Sequence, residues 1–241
     1  MIRSRSSIVR WSSASCALLA VVLGATGVFR AKAGESSTSH AGSWTIRRSP
    51  VQKTRVPRAQ VVELGDGTYI HEMIGGENPR LRRWPSRLDE PVRVWVAAGD
   101  SAAGWRPALN AIVQGAFMTW SSIGVPIRFG FVPDSASAEV RVRWALELPD
   151  QRDGLTVSRS DKHGWMRGAD IQLALRARDG TPHGATAVRA IALHEVGHLL
   201  GLDHSPVVAD IMAPLVEIDS LTIRDRATAR LLYTLPAGLL E

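Results

Sequence analysis

The eleven residues His194-Glu195-Val196-Gly197-His198-Leu199-Leu200-Gly201-Leu202-Asp203-His204 constrain this chain more than any other feature of it. Two histidines four residues apart on a helix project from one face, so their ring nitrogens can converge on a single cation. Gly201 lets the chain leave the helix in a left-handed turn, and His204 can then approach the same point from another side. Three nitrogens around a tetrahedral zinc ion leave one position for water, the arrangement of a catalytic rather than a structural site. Glu195, beside the first histidine, is placed to take a proton from that water. His-Glu-x-x-His alone recurs by chance, but the fixed glycine and third histidine lower that chance by roughly a thousandfold.

The charge of the chain argues against a nucleic-acid binder. The 241 residues carry a formal charge of +6. However, Arg3, Arg5, Arg10, Arg30 and Lys32 all fall within the first 33, where there is no acid. Removing those five leaves 24 basic residues against 23 acidic ones, a balance that gives no electrostatic footprint for a phosphate backbone.

The same first 33 residues read as an export signal. An arginine-bearing start precedes an apolar run from Cys16 to Phe29, and Ala31-Lys32-Ala33 fits small-x-small cleavage. That run is short of the roughly 20 residues a spanning helix needs. Cleavage after Ala33 is therefore expected, with an uncleaved anchor as the alternative. The expected location is secreted or periplasmic, without a stable membrane anchor once the signal is removed. Cys16 is the sole cysteine, so the remaining chain has no disulfide and no thiol ligand or nucleophile.

Residues 34–83 read as a flexible leader, polar and aperiodic to about Arg58. A small hairpin is expected around Gly65-Asp66-Gly67, with arms at Val61-Leu64 and Thr68-Ile70. Residues 84–241 read as one compact domain. Val92, Val94 and Val96 alternate as a strand, and Leu109, Ile112, Val113, Ala116, Phe117 and Trp120 recur at helical spacing behind Pro107. Strand patterns follow at 127–131, 139–144, 155–158 and 171–175. A helix spans about Thr186 to Leu200, and a last one runs from about Ile223 to Tyr233, with Thr222 as N-cap and Asp225 three residues on.

The stretch from His194 to His204 resembles the signature of the metzincin clan of zinc peptidases at every fixed position. Leu202-Asp203 before the third histidine and Ser205 after it resemble the matrixin, or matrix-metalloproteinase-like, branch. Asp210-Ile211-Met212-Ala213-Pro214 is similar to that family's Met-turn, which implies that Met212 supports the ligands from beneath. The resemblance implies an α+β domain: a twisted, mostly parallel sheet of about five strands with an antiparallel edge strand, a backing helix, an active-site helix and a C-terminal helix. It implies one catalytic zinc on His194, His198 and His204, Glu195 as general base, and Gly201 as the turn. A protein or peptide substrate would lie along Leu155, Thr156 and Val157 by strand addition. Pro214, Leu215 and Val216 would wall the specificity pocket.

The chain departs from the family in two ways. No cysteine is available to cap the zinc from a prosegment, so whether residues 34–83 inhibit the enzyme is open. A second, structural zinc is not expected, because Asp161, His163, Asp170 and His183 fall in the right region at the wrong spacing. The chain is expected to be a monomer. The competing reading is a non-catalytic zinc-binding module of the cell envelope that holds a peptide in the same groove. It gives no reason for a carboxylate at Glu195.

Overall fold

The computed structural model describes residues 9–10, 61, 65–75, 80–99 and 102–239. Most of the expected signal and much of the expected leader therefore lie outside the described residues. Of the signal only Val9–Arg10 are described, and their backbone pairs antiparallel with Leu215–Val216; of the leader, residues 61, 65–75 and 80–83 are described. Among the described residues no helix is long and apolar enough to cross a membrane.

Five strands form one sheet: β1 (Arg87–Val96), β2 (Ile127–Phe131), β3 (Val140–Ala145), β4 (Gly154–Ser160) and β5 (Met166–Ala174). Their order across the sheet is β2-β1-β3-β5-β4. Every neighbouring pair is parallel except β4 with β5, so β4 is an antiparallel strand at one edge. The α+β architecture implied by the sequence is the one observed. Val92 and Val94 turn into the core while Arg93 faces out, the period of two that a strand imposes. Pro91 has no N–H to give, and the pairing of β1 with β2 shifts register between Arg87 and Val92 to accommodate it.

Three helices accompany the sheet: α1 (Pro107–Ser121), α2 (Ala185–Leu200) and α3 (Ile223–Thr234). Proline at the first position of α1 gives up an N–H that would have had no helical partner there. Leu109, Val113, Ala116, Phe117 and Trp120 form its buried stripe, and Phe117 meets Phe129 of β2 edge-on at 4.9 Å. Helix α3 opens with a capping box, in which Thr222 and Asp225 satisfy each other's backbone N–H groups.

Helix α2 is buried along most of its length, so its terminal carbonyls need partners other than water. Trp84 Nε1 donates to Leu199 O at 3.0 Å, and Tyr233 O–H donates to Leu200 O at 3.1 Å. Trp120 Nε1 donates to Leu193 O at 2.8 Å. Three aromatic donors from three parts of the chain thus hold the last two turns of α2 in place.

The expected hairpin does not form at its second arm. Gly65–Gly67 make a turn, as expected, but Ile70–Met73 then form a single helical turn. Contacts with α3 decide this: Tyr69 N–H donates to Thr228 Oγ1, and Tyr69 O–H donates to Asp225 Oδ1. With its donors satisfied there, Tyr69 is buried against α3 instead of pairing with a neighbouring strand.

Candidate metal centre

Helix α2 carries His194, Glu195 and His198, and ends at Gly201 with φ of +101°. Two constraints meet at that glycine. The left-handed backbone disfavours any side chain, and a Cβ there would lie 1.9 Å from the carbonyl oxygen of Arg82. The turn brings His204 back toward the helix. Ligand nitrogens of His194, His198 and His204 all lie within 4.8 Å of one another.

The tautomers follow from the hydrogen bonds. His194 Nδ1 lies 2.8 Å from Ile211 O, and His198 Nδ1 lies 2.9 Å from Leu202 O. A carbonyl only accepts, so each Nδ1 carries the hydrogen and each neutral ring presents a bare Nε2. Those two Nε2 atoms face each other at 2.9 Å. Opposed lone pairs at that distance repel unless a cation lies between them. The Nε2 of His204 is buried without a hydrogen-bond partner among the described residues. Burial, then the neighbouring histidines, hold His194 well below its ordinary pKa. Burial and His204 push His198 down to about 4. Burial also lowers His204, against an opposing pull from Asp203. Three neutral, converging imidazoles suit a zinc ion.

Glu195 is fully buried beside them. Its Oε2 accepts a hydrogen bond from Thr156 Oγ1 on β4, while Oε1 has no partner among the described residues. A Cβ at Gly154 would sit 2.5 Å from Oε1, so glycine at the start of β4 makes room for the carboxylate. Burial pushes the Glu195 carboxyl up to about 8, opposed by the Thr156 hydrogen bond and the charge of Arg152. Glu195, His198 and His204 line a cleft of about 310 Å³ together with Leu155 and Thr156.

Residues 105–234 match the profile of the matrixin family. The chain belongs to the matrixin family. It is also similar to metalloendoproteinase 1-MMP of Arabidopsis thaliana, at 28% identity over 141 residues, which are 52% of this chain and 38% of that protein. The match thus spans well under half the length of that relative.

In this matrixin Met212, in the stretch that resembles the family's Met-turn, is fully buried against Gly197 of α2. A Cβ at Gly197 would lie 2.2 Å from its sulfur, so a position that the signature leaves open is fixed here by the methionine. Ser205 and Asp210 tie the turn together: Ser205 Oγ donates to Asp210 Oδ2 at 2.6 Å. Asp210 also accepts from Thr222 Oγ1 and from Arg224 Nε.

The substrate-contact residues named from the resemblance separate into two groups. Leu155 and Thr156 line the cleft, whereas Val157, Pro214, Leu215 and Val216 do not. Thr156 and Ser158 share the cleft side of β4, and Val157 alternates to the other side, where it is half exposed. Pro214 is exposed and Val216 is buried in the core. The residues considered for a second metal have other partners. Asp161 accepts from Arg167 and from the N–H groups of His163 and Trp165. Asp170 pairs with Arg143 and Arg159, and His183 Nε2 lies 2.8 Å from Asp153 Oδ1 in a buried pair. Among the described residues only His194, His198 and His204 converge as a possible ligand set.

Sequence reasoning did not find Arg152 and Gly154, which adjoin Glu195, nor the hydrogen bond that makes Thr156 more than a cleft wall. No periodicity marks these positions, because they depend on how β4 lies against α2.

Proposed function

We propose that this matrixin is a zinc-dependent endopeptidase that cleaves protein substrates, with His194, His198 and His204 as ligands and Glu195 as general base. The observation that carries this reading is the convergence of three imidazoles, two of them on a cleft that a buried carboxylate also lines, beside an edge strand. What zinc supplies at such a site is Lewis acidity, which acidifies a water and polarises a carbonyl.

The rest of the chemistry belongs to this chain. Glu195 accepts the proton of the attacking water at Oε1, which Thr156 leaves open, and returns it to the leaving amine. Thr156 holds Oε2 and so fixes the carboxylate's orientation. Strand β4, outermost in the sheet, offers its free edge to an extended peptide. Export directed by residues 1–33, action as a monomer and processing of residues 34–83 belong to the same proposal. N-terminal sequencing and sizing of the secreted protein test these points.

Glu195→Gln keeps the ligands and removes the base. The expected result is a zinc content equal to wild type and a kcat on casein or a quenched peptide lower by at least about a hundredfold. Undiminished turnover by that variant would show that Glu195 is not the base. A zinc-bound wild-type protein that cuts nothing would favour the non-catalytic peptide-binding module.

A further inference from the structure

Arg152 reaches the cleft through an unusual backbone. Asp150 and Gln151 both have φ of +58°, in the left-handed region, and neither is glycine. Side chains disfavour that region, and strain of this kind gathers at functional sites. The two follow each other directly, and the next residue is Arg152, which lines the same cleft as Glu195 and His204.

The guanidinium acts on Glu195 through its charge but has few direct partners. Arg152 is only 17% exposed, yet its one ion partner among the described residues is Asp150 at 3.5 Å, a side chain 67% exposed. Such a pair contributes little. Its Nε is buried with no hydrogen-bond partner among the described residues. A buried donor left unpaired carries a desolvation cost that a carboxylate ligand relieves, and a guanidinium can bind a carboxylate through two parallel hydrogen bonds. Arg80 and Arg82 line the cleft too, both exposed. Among the described residues neither is in an ion pair. The acids on this cleft are Glu195, held by Thr156, and Asp203, which accepts from the His204 N–H.

We propose that Arg152 is a specificity-determining residue that selects peptides carrying a carboxylate within a few residues of the scissile bond. This inference rests on the peptidase reading of the same cleft. The carboxylate can come from an Asp or Glu side chain or from a nearby peptide C-terminus, and both offer the same fork to the guanidinium.

The test uses the full zinc-loaded chain and three quenched peptides matched in sequence. The first has an internal Glu and an amidated end, the second Gln in its place, and the third Gln with a free C-terminal carboxylate; the Glu is scanned across the positions flanking the cut. At one position the Glu peptide should be preferred over Gln by about tenfold or more in kcat/KM. A preference shown only by the third peptide assigns the site to the chain terminus. Arg152→Ala should reduce the ratio toward one. Arg152→Glu should reverse it in favour of a Lys peptide, a gain that misfolding cannot imitate. Cleavage of Glu and Gln peptides at equal rates at every position, or a preference that survives both substitutions, overturns the proposal. Binding of the labelled peptides to Glu195→Gln, read by anisotropy, separates the two readings. A Glu preference in binding without cleavage by wild type would leave the recognition standing and remove the peptidase reading.

Discussion

Thr156 and Glu195 join the edge of the sheet to the active-site helix: the threonine hydroxyl donates to Oε2 of the buried carboxylate and lies 3.0 Å from its backbone carbonyl. The strand that borders the cleft therefore also orients the carboxylate proposed as the general base. Thr156→Val leaves both carboxylate oxygens without a donor. We expect kcat to fall by about tenfold with KM little changed, and Thr156→Ser to restore most of the loss. A rise in KM at constant kcat would assign Thr156 to substrate binding alone.

Gly201 is the second pivot. Gly201→Ala meets a left-handed backbone and the Arg82 carbonyl together. Strain and overpacking combine to an expected loss of about 2–5 kcal/mol, read as a lower urea midpoint. Because the turn places His204, zinc affinity should fall with it. An alanine variant with wild-type stability and zinc content would show that the turn tolerates a side chain.

Much of this site was legible because its constraints are local. The four-residue spacing of His194 and His198, the glycine stop and the Thr222–Asp225 capping box each involve neighbours in sequence, and each is found where the pattern put it. The segment after Gly65-Asp66-Gly67 was not legible, since such a turn can open a hairpin or a helical turn equally well. The choice is made by Asp225 and Thr228, more than 150 residues away. Arg152 escaped for a related reason. Its position depends on two consecutive non-glycine residues in the left-handed region, a pairing that no sequence pattern announces.

Metal removal should be felt through the whole fold. The rings of His194, His198 and His204 are drawn together with acceptor nitrogens facing one another, so an ion held there would offset a repulsion as well as close the site. At a zinc concentration a thousandfold above Kd, linkage gives about 4 kcal/mol of stabilisation, or roughly 8–16 °C in Tm. Calorimetry with and without a chelator measures it, and peptidase activity should vanish and return in step. An unchanged Tm after verified zinc loss would contradict a shared site on these three residues.

Acid should weaken the sheet at Glu139. Burial raises the carboxyl's pKa, but Arg87 on both oxygens and the Arg93 N–H, with the charges of both arginines, outweigh it and leave it below its usual value. A depressed folded-state pKa gives stability that is present above the unfolded value near 4.3 and lost as pH falls through the folded one. Glu139→Gln should therefore cost about 1–2 kcal/mol at neutral pH and progressively less below about pH 4. Urea midpoints of both proteins at neutral pH and in acid give the comparison. A gap of equal size at both would mean that shape, not charge, is what Glu139 contributes.

His194 is oriented by way of a residue of α3 that is distant from it in sequence. Asp225 Oδ2 accepts from the Ile211 N–H at 3.0 Å and from the Thr222 N–H at 2.8 Å, and the Ile211 carbonyl accepts from His194 Nδ1. Helix α3 thereby holds Ile211, the residue whose carbonyl orients the histidine. Asp225→Asn replaces an acceptor oxygen with an amide that cannot accept, or turns that amide toward Tyr69 at the cost of the charge. Second-layer partners of this kind alter metal affinity by about 10–100-fold, and we expect zinc competition with a chromophoric chelator to show a loss in that range. Tyr69→Phe removes only the longer 3.3 Å contact to Oδ1 and should lower affinity far less. If Asp225→Asn reduced stability while zinc affinity stayed at the wild-type value, the carboxylate would be holding the Met-turn to α3 without transmitting anything to His194.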